Sequence, residues 1–146
     1  MAKIPQALHE NIAKAFPANA TLIGTTQANG YAQIGIRGST MVFDDEHFAL
    51  WERGKGTTNS ELKPGAKVTI WFRDPALREN KMLPVGGIAR FYGTVDGVHK
   101  SGPVYDKVWE KLIQPEKNND PEKKGYAVTI KVERAEDLRG QPIAGS

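Results

Sequence analysis

The sequence predicts a mainly-β fold with flanking helices, in which about six strands form an antiparallel sheet that closes, or nearly closes, into a barrel. Three observations carry this expectation. Short runs rich in β-branched and aromatic residues recur along the chain, and several of them alternate apolar and polar residues. Tight-turn sequences such as Asn29-Gly30 and Asp44-Asp45-Glu46 separate these runs and join neighbours too closely for parallel crossovers. The length of 146 residues suits one domain, residues 1–146, and no internal repeat is present.

A helix is expected over Pro5 to Phe16, because Ile4, Leu8, Ile12 and Phe16 recur every fourth residue as one apolar stripe. Pro5 suits its first turn, and Pro17-Ala18-Asn19 stops it. Strands follow at Thr21–Thr26 and Tyr31–Ile36, joined by Asn29-Gly30 and with Ile34 and Ile36 on one face. Thr40–Phe43 continues as strand, and His47–Trp51 returns after the acidic turn. A short helix is expected through Leu62, ended by Pro64-Gly65. Lys67–Phe72 alternates, with Val68, Ile70 and Phe72 on one face and Trp71 on the other, where it suits a subunit interface. Asp74–Pro84 reads as loop. Gly87–Val98 reads as a longer strand that Gly93 and Gly97 bend or bulge. Ser101–Leu112 is a helix capped by Ser101, with Val104, Val108 and Leu112 on one face and Trp109 packed beside them. Gln114–Lys124 is a solvated charged loop, and Gly125–Val132 is the last strand.

Composition narrows the chemistry. With no cysteine, disulfides, thiolate metal sites, iron–sulfur clusters and cysteine nucleophiles are excluded. The net charge of +3 mildly favours anionic ligands and is too small to argue for nucleic acid. No apolar stretch of membrane-spanning length occurs and no export signal is read, so the expected location is cytoplasmic and Asn19-Ala20-Thr21 carries no weight as a glycosylation acceptor. His9, His47 and His99 are scattered without metal-ligand spacing, so no metal site is expected. Asp44-Asp45-Glu46 is read as solvated turn chemistry. No Ser-His-Asp set or nucleophile elbow is present, and no catalytic side chain is named.

The informative segment runs from Tyr31 to Leu62. Arg37 ends one strand beside Gly38 and Ser39, and the hairpin that follows returns to Trp51, Glu52 and Arg53. Arg37 and the loop from Glu52 to Thr58 therefore lie together, at the end of the hairpin away from its turn. That arrangement suits a phosphate. Gly54 and Gly56 let the backbone approach an anion, the start of a short helix offers free N–H groups, and the Thr57 and Thr58 hydroxyls donate. Arg37, Arg53 and Lys55 add positive charge. The pattern is neither a Walker loop nor a dinucleotide fingerprint, and an exposed basic loop is the competing reading.

Residues 31–72 resemble the flavin-binding core of the pyridoxamine 5′-phosphate oxidase-like family, the FMN-binding split barrels. The resemblance is carried by Gln33-Ile34-Gly35-Ile36-Arg37-Gly38-Ser39, the acidic turn, Phe48-Ala49-Leu50-Trp51, the Gly56-to-Leu62 helix start and the Val68-to-Phe72 strand. The strand at 88–95, the last strand and the N-terminal helix fit the same plan. The resemblance implies a split barrel with FMN between two subunits of a homodimer. It places the backbone of Ile36 to Ser39 (Ile36, Arg37, Gly38, Ser39) along the isoalloxazine ring, Trp51, Glu52 and Arg53 under the ring and ribityl chain, and Gly56, Thr57 and Thr58 at the phosphate. Trp51 is the aromatic expected to touch the cofactor.

Where many family members have a lysine or an arginine–lysine pair at the helix start, this chain has Thr57-Thr58-Asn59. Arg37, Arg53 or Lys55 must then supply the charge. The expected function is an FMN-dependent oxidoreductase acting on a small organic substrate, with NAD(P)H as an electron donor to be tested. The alternatives are a non-catalytic flavin carrier and a split barrel for deazaflavin F420 or haem. Vitamin B6 oxidation is not expected, because the longer C-terminal substrate-binding segment of those oxidases has no counterpart here.

Overall fold

The computed structural model describes residues 2–15, 18, 21–54 and 61–146. Among these residues seven strands form one sheet: β1 (Leu22–Thr26), β2 (Ala32–Ile36), β3 (Met41–Asp44), β4 (His47–Glu52), β5 (Lys67–Arg73), β6 (Ile88–His99) and β7 (Tyr126–Asp137). Their order is β2-β1-β5-β6-β7-β4-β3, and every neighbouring pair is antiparallel. The helices are α1 (Gln6–Ala13), α2 (Pro75–Glu79), α3 (Pro103–Lys111) and α4 (Gln114–Asn118).

The strand count exceeds the six expected because Tyr31–Phe43 is two strands. A turn closed by the Thr40 N–H on the Arg37 carbonyl (3.1 Å) breaks it. The turn sends β2 and β3 to opposite edges of the sheet. This break places Arg37, Gly38 and Ser39 between two strands.

Alternation decides the inner face. Ile23, Phe48, Leu50, Val68, Ile70, Phe72, Phe91 and Val95 are buried and pack against the α1 stripe of Ile4, Leu8 and Ile12. A second, smaller core lies on the other side of β4 and β7, where α3 covers Met41, Ala49, Trp51 and Ala127 with Val108 and Leu112. Strand β4 is thus buried on both faces, which is why its apolar run is continuous.

Four local expectations are corrected. Asp74–Pro84 contains α2, because Asp74 accepts the Ala76 N–H (3.0 Å) as an N-cap and Pro75 supplies a preset φ. The N-cap of α3 is Gly102, whose φ of +94° favours glycine, so Ser101 stands one residue before the cap and no side chain caps the helix. The stretch read as a solvated loop after Gln114 contains α4 and the buried Asp120. The last strand continues through Asp137 because Ala135 and Glu136 still pack inward. The glycines of β6 do mark irregular pairing with β7, at Tyr92/Gly93 and Val95/Gly97. A Cβ on Gly93 would stand 2.5 Å from the Lys131 carbonyl oxygen.

Candidate functional site

The end of the β3–β4 hairpin gathers the sequence-predicted residues that are described. Ser39 is buried, and its hydroxyl donates to the Trp51 carbonyl and accepts the Trp51 N–H, both at 3.1 Å. This clasp fixes the segment after β2 against the end of β4. Arg37 then reaches Glu52, with Nη2 3.0 Å from Oε2. The Glu52 side chain is 1% exposed and that of Arg37 19%. The other Glu52 oxygen accepts the Gly54 N–H at 3.0 Å. Arg37 and the start of the Glu52 loop are therefore neighbours, as the hairpin argument requires. Arg53 and Ile36 are exposed. Arg37, Gly38 and Ser39 also line a cavity of about 60 Å³ beside Ile12, Ala13 and Lys111. Lys55, Gly56, Thr57 and Thr58 lie outside the described residues.

Trp51 is only 2% exposed. Its indole turns toward α3, with ring centroids 5.1 Å from Tyr105 and 5.0 Å from Trp109. Its Nε1–H donates to Asp120 Oδ2 at 2.8 Å. The expected ring contact with a cofactor thus gives way to a packing role, and the backbone of Trp51 is the part nearest Ser39. Asp120 is the residue that sequence reasoning missed. It also accepts the Lys124 N–H (3.0 Å) and Gly125 N–H (2.8 Å). Nothing in the charged stretch Glu116–Lys124 distinguishes this one carboxylate, because its partners come from tertiary packing.

Burial pushes the Asp120 carboxyl up, but the bonds from Trp51, Lys124 and Gly125 and the charge of Arg53 outweigh it and hold it below the usual carboxylate range. Glu136 is also held low. Tyr92 donates to it at 2.6 Å, and the Arg134 and Arg90 guanidinium groups face it, against the opposing effect of burial. Both carboxyls are thus lower in the folded chain than in the unfolded one. Their stabilisation is present above about pH 4 and is lost as pH falls through the depressed folded values. The thermal midpoint is therefore expected to fall between pH 7 and pH ~3. Asp120→Asn is expected to cost about 2 kcal/mol at pH 7 and to flatten that dependence. Thermal denaturation across pH checks both, and an unchanged slope in the variant would remove Asp120 from the account.

Tyr126 pairs across the sheet with Glu52. Burial first, and then the Glu52 charge, push its phenol up, against the lowering effect of Arg37. Its position reports how close the Arg37–Glu52 pair lies to the sheet.

A second feature lies on the outer face of β1, β2, β5, β6 and β7. A groove of about 830 Å³ is lined by Leu22, Ile34, Thr69, Trp71, Tyr92 and Arg134, among others. Trp71 faces this groove, away from Val68, Ile70 and Phe72 in the core, as its pleat phase predicts. Beside it the edge strand exposes Ile34 (69%) and Ile36 (66%), with Tyr31 (75%) preceding them. Phe91 is a core residue, and Arg90 is engaged by Glu136 and by the Asp137 and Leu138 carbonyls. His47 sits between Asp44 (2.8 Å) and Asp96 (2.9 Å) at the far end of the hairpin, and His9 hydrogen-bonds the Ile4 carbonyl oxygen at 3.0 Å. Among the described residues no group of three or more metal-ligating side chains is assembled, and no helix is long and apolar enough to cross a membrane.

The fold is that of the pyridoxamine 5′-phosphate oxidase-like split barrels, which is what the resemblance implied. A candidate pyridoxamine 5′-phosphate oxidase from Lactobacillus delbrueckii is 26% identical, with a TM-score of 0.61 over 93% of this chain and 99% of the other. A histidine-to-alanine variant of HupZ from Group A Streptococcus is 25% identical, with a TM-score of 0.65 over 92% and 99%. An FMN-binding protein from Syntrophomonas wolfei shares the fold at 16% identity, with a TM-score of 0.61 over 91% and 87%. No protein-family model matches the sequence, and no curated protein matches it.

Proposed function

We propose that the chain is an FMN-dependent oxidoreductase acting on a small organic substrate, with its flavin at the hairpin end, between two copies of the chain. The observation that carries this reading is the hairpin end itself. The Ser39–Trp51 clasp holds the turn after Ile36 against the end of β4. The exposed Ile36 offers an apolar contact for a flat ring, and Arg53 leaves a cation in solvent near the loop. These residues fit a flavin: an apolar side chain for the face of the ring and positive charge toward its tail. Lys55, Gly56, Thr57 and Thr58 are assigned to the phosphate on their sequence chemistry and on the resemblance.

A bound flavin would supply hydride transfer between a reduced donor such as NAD(P)H and a small organic acceptor. The chain's own residues bind and orient it. The exposed Tyr31, Ile34 and Ile36 at the β2 edge, beside the outer groove, support a second copy as the partner. The fold relationship to an FMN-binding protein supports the choice of cofactor.

Titration of FMN fluorescence with the purified chain tests the reading. Saturable quenching, followed by bleaching of the ~450 nm band when NAD(P)H or another donor is added and its return with an acceptor, is the expected result. A folded chain that quenches neither FMN nor riboflavin would overturn it and would direct the same titration to F420 and haem.

A further inference from the structure

We propose that the outer groove binds a flat apolar carboxylate, its body over Gly24 and Thr69 and its carboxylate on Arg134, and that the organic substrate of the oxidoreductase belongs to this class. The substrate role rests on the flavin reading above, whereas the binding site stands apart from it. Strand register sets the groove's floor in rows that cross the sheet. One row runs Ile34, Gly24, Thr69, Tyr92 and Arg134. The next runs Ile36, Leu22, Trp71, Arg90 and Glu136. The floor is therefore apolar toward β2 and charged toward β7. Gly24 and Thr69, both small, form the depression between Ile34 and Tyr92. A Cβ on Gly24 would meet Thr69 at 3.8 Å, an ordinary contact, so the space above it is open. A groove of about 830 Å³, apolar with a few polar groups at one end, suits a small organic ligand. Through Leu22 and Trp71 it shares one face of the sheet with Ile36, the proposed contact for the flavin ring.

Charge selects the ligand. Lys67 and Glu133 pair at 3.1 Å and cancel each other. Glu136, 5% exposed, is shared by two guanidinium groups, Arg90 at 3.2 Å and Arg134. This end of the groove thus holds three cations and two anions, one positive charge in excess. Arg90 is further engaged by the Asp137 and Leu138 carbonyls. Arg134 is 62% exposed, and among the described residues Glu136 is its one hydrogen-bond acceptor. The excess charge is therefore accessible at Arg134. Its guanidinium sits 5.6 Å from the centroid of the Tyr92 ring, which holds it near β6. Neighbouring strands lie about 5 Å apart, so a body over Thr69 on β5 brings a carboxylate within reach. A guanidinium carries five donors in a planar fork, and Arg134 can take a second carboxylate without leaving Glu136. The edge on which a second copy is proposed to seat is β2, four strands away from Arg134.

Isothermal titration calorimetry of the full chain without flavin tests the site, using 2-naphthoate and its neutral counterpart 2-naphthamide. The wild-type chain is expected to bind naphthoate about tenfold tighter or more than naphthamide. Arg134→Gln is expected to bring the two within about threefold, with naphthamide moving less than about twofold. Gly24→Val fills the depression and is expected to weaken both probes by about tenfold. Equal wild-type affinities, heat from neither probe, a preference that survives Arg134→Gln, or unchanged binding in Gly24→Val overturns the proposal. The wild-type comparison needs no variant, so it decides the matter even if circular dichroism shows a variant to be unfolded. Naphthoate binding as expected in a chain that quenches no flavin is a different result. It overturns the flavin reading and the substrate role, and it leaves the carboxylate site in place.

Discussion

Gly125→Ala is expected to destabilise the chain by about 3–5 kcal/mol, a large share of a typical domain's stability. The added Cβ would stand 2.5 Å from Trp51 Nε1, 2.6 Å from the Glu52 carbonyl oxygen and 3.0 Å from Asp120 Oδ2. None of the three can yield cheaply. The Glu52 carbonyl belongs to β4, which is paired along its length with β7. The indole is wedged between Tyr105 and Trp109, and Asp120 accepts three hydrogen bonds at once. Relief comes only by breaking the Trp51–Asp120 bond or pushing β4 away from β7, and either movement disturbs Glu52 and the Ser39 clasp. Gly35→Ala is the control, since a Cβ there meets nothing within 4 Å. Urea denaturation of the two variants checks this. Equal, small losses would mean that the wall behind the site is softer than described.

In the two-copy arrangement proposed above, Ile34→Glu/Ile36→Glu is expected to leave a folded monomer. Both side chains stand about two-thirds exposed on β2, beside the outer groove. Burying an isoleucine contributes about 1.5–3 kcal/mol, and a two-fold interface buries each position twice. Four isoleucines thus represent about 6 kcal/mol or more, before counting the cost of placing carboxylates against an apolar partner, so the dimer dissociation constant should rise by a thousandfold or more. Because neither residue contributes to the core, the thermal midpoint of the diluted protein should change little. Analytical ultracentrifugation across a concentration series reads the result. A double variant that sediments as wild type would remove this face from the interface.

The parts of this molecule that the sequence exposes are those governed by local period and turn chemistry. Ile4, Leu8 and Ile12 lie on one buried stripe, and Val68, Ile70 and Phe72 share the inner face while Trp71 points out. The hairpin argument that set Arg37 beside the Glu52 loop needed only the turn at Asp44-Asp45-Glu46 and the return of β4. Ile34 and Ile36 do share a face, but period alone cannot say that the face is open to solvent. What stayed hidden depends on contacts between segments far apart in sequence. Asp120 meets Trp51 across 69 residues, and Glu136 meets Tyr92 across 44. Charged residues give no periodic signal of burial, so Asp120 read as one more solvated carboxylate and Glu136 fell past the expected end of β7. Trp51 shows the same limit. Its strand position and the helix over Ser101–Leu112 were both readable, but the packing of the indole against that helix, and its bond to Asp120, were not.

The most direct test of the account is sedimentation velocity of the chain with FMN present, followed at the flavin band near ~450 nm. Flavin moving with a species of twice the chain mass is the result predicted for a cofactor held between two copies. Flavin that stays at the free boundary with the wild-type chain, or that moves with a single copy, would contradict it.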